Sequence, residues 1–271
     1  MVEMSREARA HLRGYKMSDR RAPVVVAAAA IFPFFPRNRR LDIGEGALQT
    51  WIRAADYATA GPVWWRQFGP IHARKMLSHF ASVKLAEIRK GGVYLDAGAS
   101  VSPFFKVIRK THGAKLCYRQ DLNRTAGLRG DGIGSDAAAI PLPDASLDGI
   151  VAHEAWAHFE GDSALGFLNE AARLLKPKGK LCIMPVNFAE RTEIVTSPAV
   201  WATKYGLHPA LPVFDRRAMI VIDEGPEQRQ VMWWAPADLA QALAGIATLD
   251  FEIVQVVHDR KAQFALVATR R

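Results

Sequence analysis

Apolar residues fall in short blocks separated by polar turns, and from Val93 onward the blocks alternate between two lengths. Val93–Leu95, Lys115–Arg119, Gly149–Ala152 and Lys180–Val186 are short and mostly apolar, which predicts strands buried on both faces. Between them lie longer amphipathic runs. The clearest is Ser163–Leu175, with Leu165, Leu168, Ala172 and Leu175 on one face, Asp162 as its cap, and Pro177 and Gly179 beyond its end. Pro236 opens another helix, with Leu239, Leu243 and Ile246 on one face. Two last strands, Phe251–Val257 and Gln263–Thr269, are joined by a turn too short for anything but antiparallel pairing. Strands alternating with helices predict a parallel sheet covered on both faces.

Upstream the pattern changes. Val24–Phe35 is the most apolar run; it predicts a strand or packed extended segment, and the PRNRRLD stretch after it predicts a loop. Ala47–Ala60 and residues 71–90 have helical composition, each bounded by glycine pairs or Gly-Pro. The expected organisation is therefore a basic arm over 1–22, a mainly helical cap over 23–90, and a body over 91–271. The segment 187–230 breaks the strand–helix rhythm and is long enough to build a lid or substrate pocket.

The stretch VYLDAGASVS organises the body. A strand delivers Asp96, Gly98 and small residues make a tight turn, and Ser102-Pro103 opens a helix. Such turns are where nucleotide-like ligands meet free backbone N–H groups.

Composition narrows the reading. Cys117 and Cys182 both lie in apolar runs, which argues against a disulfide framework or a metal site and for buried free thiols in a reducing, cytoplasmic setting. The net charge is +9, and nine basic against three acidic residues precede residue 41, so the excess belongs largely to the N-terminal stretch. No apolar run is long enough to span a bilayer.

The order of elements from about Gly91 onward resembles the class I S-adenosylmethionine-dependent methyltransferases. The stretches that carry the resemblance are VYLDAGAS, LCYRQDL, SDAAAIPLPDASLDGIV, AHFEGD and ALGFLNEAARLLKPKGKL. It implies a Rossmann-like sheet of seven strands, mostly parallel with an antiparallel C-terminal edge, with helices on both faces and an N-terminal helical cap. It also implies S-adenosyl-L-methionine as cofactor. Asp121 would then accept from the ribose hydroxyls, beside Leu122. Asp136 would accept from the adenine amino group, with Ala137 offering a backbone N–H. Gly98 would lie under the methionine portion and Asp96 near its amino group, with Ser100 and His153 also among the cofactor-binding residues. Ser100 stands where the family usually has glycine, and serine takes positive φ less cheaply.

The same carboxyl edge carries HEAWAH, so His153, Glu154 and His158 are the candidate catalytic residues. The aromatics Trp64, Trp65, Phe68, Trp201, Tyr205 and Phe214 are the expected acceptor pocket. The expected activity is methyl transfer to an oxygen or nitrogen of a small or medium-sized apolar or aromatic molecule. Two alternatives stand beside it. One is an RNA or protein methyltransferase using the basic arm. The other is a methyltransferase-like binding subunit without turnover.

Overall fold

The computed structural model describes residues 26–61, 72–100, 102–122, 131–159, 163–195, 219–221, 231–259 and 261–271. Its strands are β1 (Asn38–Asp42), β2 (Val93–Ala97), β3 (Leu116–Asp121), β4 (Gly132–Gly134), β5 (Leu147–His153), β6 (Leu175–Val186), β7 (Glu193–Val195), β8 (Met219–Val221), β9 (Val231–Trp233), β10 (Leu249–His258) and β11 (Lys261–Arg270). Its helices are α1 (Ala28–Ile31), α2 (Glu45–Ala55), α3 (Tyr57–Ala60), α4 (His72–Leu85), α5 (Phe104–His112), α6 (Ser163–Leu174) and α7 (Pro236–Ala244).

The main sheet has eight strands rather than seven, in the order β1-β10-β11-β6-β5-β2-β3-β4. Pairing is parallel among β4, β3, β2, β5 and β6, and antiparallel where β11 meets β6 and β10. The eighth strand is β1, from the segment expected to be a loop. It pairs in parallel with β10 and becomes the outer edge. Its sequence NRRLD has no apolar alternation because four of its five residues are exposed, so hydrophobic periodicity could not reveal it. Backbone pairing and charge hold it instead. Arg39 Nε donates to Glu252 at 2.8 Å, and Arg37, just ahead of the strand, pairs with Asp250 at 3.0 Å. Such basic residues also deter further strand addition at an open edge. A second correction concerns Val24–Phe35: its described part is α1 followed by a 3-10 turn over Phe32–Phe34, not a strand. Alanine favours helix, and Pro33 tolerates the first turn of a new helical segment.

Strand alternation divides the core into two layers. Leu95, Ala97, Ile150, Ala152, Leu181 and Ile183 pack on the face shared with α6 and α7. Tyr94, Val151, Cys182, Met184, Val254 and Val256 pack on the other face. That second face is covered by α2, α4 and α5 through residues such as Leu48, Trp51, Leu77, Phe80 and Phe104. The N-terminal segment therefore supplies one of the covering layers. A smaller sheet, in the order β8-β7-β9, follows β6.

Both cysteines are free and buried, as expected. Burial pushes the Cys117 thiol well up, with the charge of Asp96 adding to it, and pushes Cys182 up to about 12. Neither thiol is a nucleophile in that state.

Asp148 ties three strands together at the amino edge of the sheet. Its Oδ2 accepts the Val93 N–H at 2.8 Å and the Lys176 ammonium at 3.0 Å. Burial alone would raise its pKa; these two donors outweigh that and hold it below its ordinary value of 3.8. We expect Asp148→Ala to lower stability by about 1–3 kcal/mol, since it strands a half-buried N–H. A depressed folded-state pKa means the contribution is complete above the ordinary aspartate range and is lost as pH falls through the lower folded value. The wild-type advantage in denaturant midpoint should therefore hold at neutral pH and shrink below about pH 4.

Candidate functional site

The parallel strands β2, β3, β4, β5 and β6 bring their carboxyl ends to one edge, and the turn after β2 is fixed there by the end of β3. Gly98 N–H donates to Gln120 Oε1 at 3.0 Å, Ala99 N–H to the Gln120 carbonyl at 2.9 Å, and Ser100 N–H to Asp121 Oδ2 at 2.8 Å. The Gln120 amide also donates to the Ser135 carbonyl at 2.5 Å, and Ser135 N–H donates to the Asp121 carbonyl at 3.2 Å. One buried glutamine thus joins the turns after β2 and β4. Sequence reasoning passed over it; the available signal was an uncharged polar residue inside a strand otherwise expected to be buried.

Gly98 has φ +66°, and a Cβ there would meet the Ala155 Cβ at 2.4 Å and the Phe159 ring at 3.3 Å. The glycine lets the turn after β5 approach the turn after β2. Ser100 adopts φ +45°, the conformation glycine takes most cheaply. Ser102, expected to cap α5, accepts the Phe104 N–H at 3.2 Å, although the helix starts at Phe104 rather than Pro103.

The other candidates separate into two groups. Asp121 ends β3 and Leu122 follows it; Leu122 is 69% exposed, unusual for a large apolar side chain and suited to covering a flat ligand. Asp136 follows β4. Its Oδ1 accepts the Ala138 N–H at 2.8 Å and its Oδ2 accepts the Ser163 hydroxyl at 3.0 Å, so the carboxylate is fixed while each oxygen keeps a further lone pair. Ala137 is buried beside it.

The second group is deeper. Strand alternation turns Asp96 and His153 to the face covered by the N-terminal helices. Asp96 is 1% exposed, and its Oδ1 lies 3.3 Å from His153 Nδ1. Asp96 Oδ2 and His153 Nε2 are buried without hydrogen-bond partners. Around them lie Phe104, its ring centroid 4.4 Å from that of His153, and His79 at 4.5 Å. The Tyr57 hydroxyl is 2.8 Å from His79 Nδ1. Burial, and then the charge of Asp96, raises the Tyr57 phenol well above its ordinary value.

Of the catalytic candidates, His153 is nearly closed to solvent, whereas Glu154 and His158 are half-buried at the same edge. Glu154 has φ +51° and donates its N–H to the Met184 carbonyl, so its turn is held in a costly conformation. The expected acceptor-pocket residues Trp64, Trp65, Phe68, Trp201, Tyr205 and Phe214 all lie outside the described residues, as does the arm over 1–22. Among the described residues there is no cluster of His, Cys, Asp or Glu able to hold a metal ion, and no helix long and apolar enough to cross a membrane.

The family model described as a methyltransferase domain matches residues 95–183, which span β2 through most of β6. Among solved structures, a Pyrococcus horikoshii protein superposes with a TM-score of 0.51 at 16% identity, covering 75% of this chain and 92% of that one. Likeness at that level establishes the fold. Two others are less similar in structure. The Burkholderia thailandensis 1,6-didemethyltoxoflavin-N1-methyltransferase, solved with 1,6-didemethyltoxoflavin and S-adenosylhomocysteine, is 16% identical, covering 94% of this chain and 98% of that one, with a TM-score of 0.44. An S-adenosylmethionine-dependent methyltransferase from Aquifex aeolicus is 18% identical, covering 78% and 98%, with a TM-score of 0.45. No curated protein matches the chain in sequence.

The two turn positions should respond oppositely to substitution. Ser100→Gly should be neutral or stabilising by up to about 1 kcal/mol, because it relieves positive φ. Gly98→Ala adds a methyl where Ala155 already stands; it should destabilise by about 1–3 kcal/mol and weaken binding of S-adenosylhomocysteine. Thermal melts and calorimetry on both variants check this.

Proposed function

We propose, for a chain that carries a class I S-adenosylmethionine-dependent methyltransferase domain, that it transfers the methyl group to an oxygen or nitrogen of a small or medium-sized apolar or aromatic molecule. The residues at the carboxyl edge fit the cofactor. Asp96 Oδ2 is a buried carboxylate oxygen with no donor, which a ligand amino group would satisfy. Asp121 has its carboxylate fixed by Ser100 N–H, ready to accept from a ribose. The exposed Leu122 would cover the base. Asp136 and Ala137 would meet the adenine edge. The bound cofactor supplies a methyl group already activated on a sulfonium, so the protein's task is chiefly alignment and exclusion of water.

The observation that carries the small-acceptor reading is the way the chain after β6 is laid against this edge. Trp234, which follows β9, stacks on Trp156 of the turn after β5, with ring centroids 5.5 Å apart and planes 12° from parallel. Trp234 N–H donates to the Asn187 carbonyl and Ala189 N–H returns to the Trp234 carbonyl, which fastens the start of this segment to its end. A segment anchored to the edge in this way supports an enclosed acceptor over a polymer. His153 is nearly buried against Asp96, so Glu154 and His158 are the better-placed groups to take a proton where the acceptor needs one removed.

One observation favours the alternative of a polyanionic substrate. Lys106, Arg109, Lys110 and Lys115 line a surface hollow of about 570 Å³ at the C-terminal end of α5. It sits at the far end of that helix from the turn after β2, and Lys110 and Arg109 are already paired with Asp56 and Asp131.

Asp121→Ala should weaken S-adenosylhomocysteine binding by about 1.5–3 kcal/mol in a folded protein. Unchanged affinity by calorimetry would remove the ribose assignment. Deleting residues 1–22 should leave turnover intact, while Trp65→Ala or Trp201→Ala should abolish it without loss of cofactor binding. Activity that needs the arm and a polynucleotide, and that falls steeply with salt, would establish the alternative.

A further inference from the structure

The polar groups beneath the carboxyl edge do more than fill the core. Tyr57, His79, His153 and Asp96 come from four separate elements: the junction of α2 and α3, α4, the end of β5 and the end of β2. Tyr57, His79 and Asp96 are 2%, 3% and 1% exposed, and the His153 side chain is 5% exposed. Burying so many titratable groups together is costly unless each is satisfied, and here two acceptor or donor positions are not.

The Tyr57 hydroxyl and His79 Nδ1 share a buried hydrogen bond at 2.8 Å, in which the phenol serves as donor or acceptor according to the His79 tautomer. A His79 that accepts at Nδ1 carries its own proton on Nε2. Its ring meets the His153 ring edge to face at 63°, and Phe104 meets His153 at the same angle on another side. Held between these two rings, His153 has Nδ1 turned to Asp96 Oδ1, leaving Asp96 Oδ2 without a partner.

We infer that Tyr57 and His79 are positioning residues for the cofactor's amino group: through the His153 ring they orient the Asp96 carboxylate, so that seating of the N-terminal helices and affinity for the methionine end of the cofactor are coupled. The inference rests on the reading of Asp96 as partner of that amino group. Neither Tyr57 nor His79 needs to touch the cofactor. Coupling of this kind is reciprocal: whatever loosens the α2–α4 layer lowers affinity, and the bound cofactor steadies that layer.

Two ligands separate positioning from general stability. S-adenosylhomocysteine has the amino acid end and 5′-methylthioadenosine lacks it. Tyr57→Phe keeps the ring packed on Trp51, 5.7 Å away, and removes only the hydroxyl. Its affinity for S-adenosylhomocysteine should fall about fivefold or more, the loss of one buried hydrogen bond, while that for 5′-methylthioadenosine stays within about twofold. His79→Leu should behave the same way. His79→Gln, whose amide oxygen can still accept from Tyr57, should recover most of the affinity. In the ligand-free protein, isotope-labelled imidazole NMR should show the His153 ring signals shifted in Tyr57→Phe and His79→Leu, because the rings packed on His153 set its orientation against Asp96. Equal losses for both ligands, no loss for either, or an unmoved His153 signal would overturn the inference. A wild-type protein that binds neither nucleoside would instead overturn the cofactor reading, and the NMR result would still report whether the ring is positioned.

Discussion

The turn after β2 depends on hydrogen bonds from the last two residues of β3. Three successive N–H groups, from Gly98, Ala99 and Ser100, are accepted by the Gln120 side chain, the Gln120 carbonyl and the Asp121 carboxylate. A turn this tight has few backbone partners of its own, and buried N–H groups must be paired. The neighbouring strand supplies them, and Gln120 extends the tie to the turn after β4 through Ser135. Two consecutive residues therefore set the relative places of the turn and of the acid that ends β3. A serine in a left-handed conformation is tolerated because Asp121 holds its N–H.

A second constraint is the packing of the turn after β5 against the first. Ala155 and Phe159 occupy the space a side chain at residue 98 would need. Glu154 is held in positive φ by its N–H to Met184, and Trp156 donates to the Ala164 carbonyl at 2.8 Å at the start of α6. The same Trp156 stacks on Trp234, so the segment after β6 is fixed to the sheet at the point where the candidate chemistry lies. The small residue at 98, the strained backbone at 154 and the paired tryptophans form one mechanical unit.

The N-terminal segment is bound to this unit from beneath. Its helices α2 and α4 share a core layer with α5 and the strands, and its strand β1 extends the sheet beyond β10. Tyr57 and His79 reach from that layer to the groups behind Asp96. A buried carboxylate is tolerated in a protein interior only with partners close by, and the His153 ring that faces Asp96 is itself packed on His79, from outside the matched 95–183 segment.

The sequence by itself determined the layered α/β body. Apolar strand blocks, amphipathic runs and short turns alternate strongly enough to show the parallel strands, the antiparallel pair at the end and the turn at Asp96–Ser102. It also placed Asp96, Asp121 and His153 at strand ends, because each follows a block that reads as a strand. Tertiary structure decided what lies beside them. The strand β1 has polar, exposed residues and gains its conformation from pairing with β10, so no local pattern marks it. The Val24–Phe35 run is apolar enough for a strand, yet its described part is helical and the sheet edge is formed by β1. Tyr57, His79 and Phe104 carry no sequence signature, because their roles follow from packing between helices distant in the chain and the strands. Periodicity reports which face a residue occupies within its own element; only packing decides which other element that face meets.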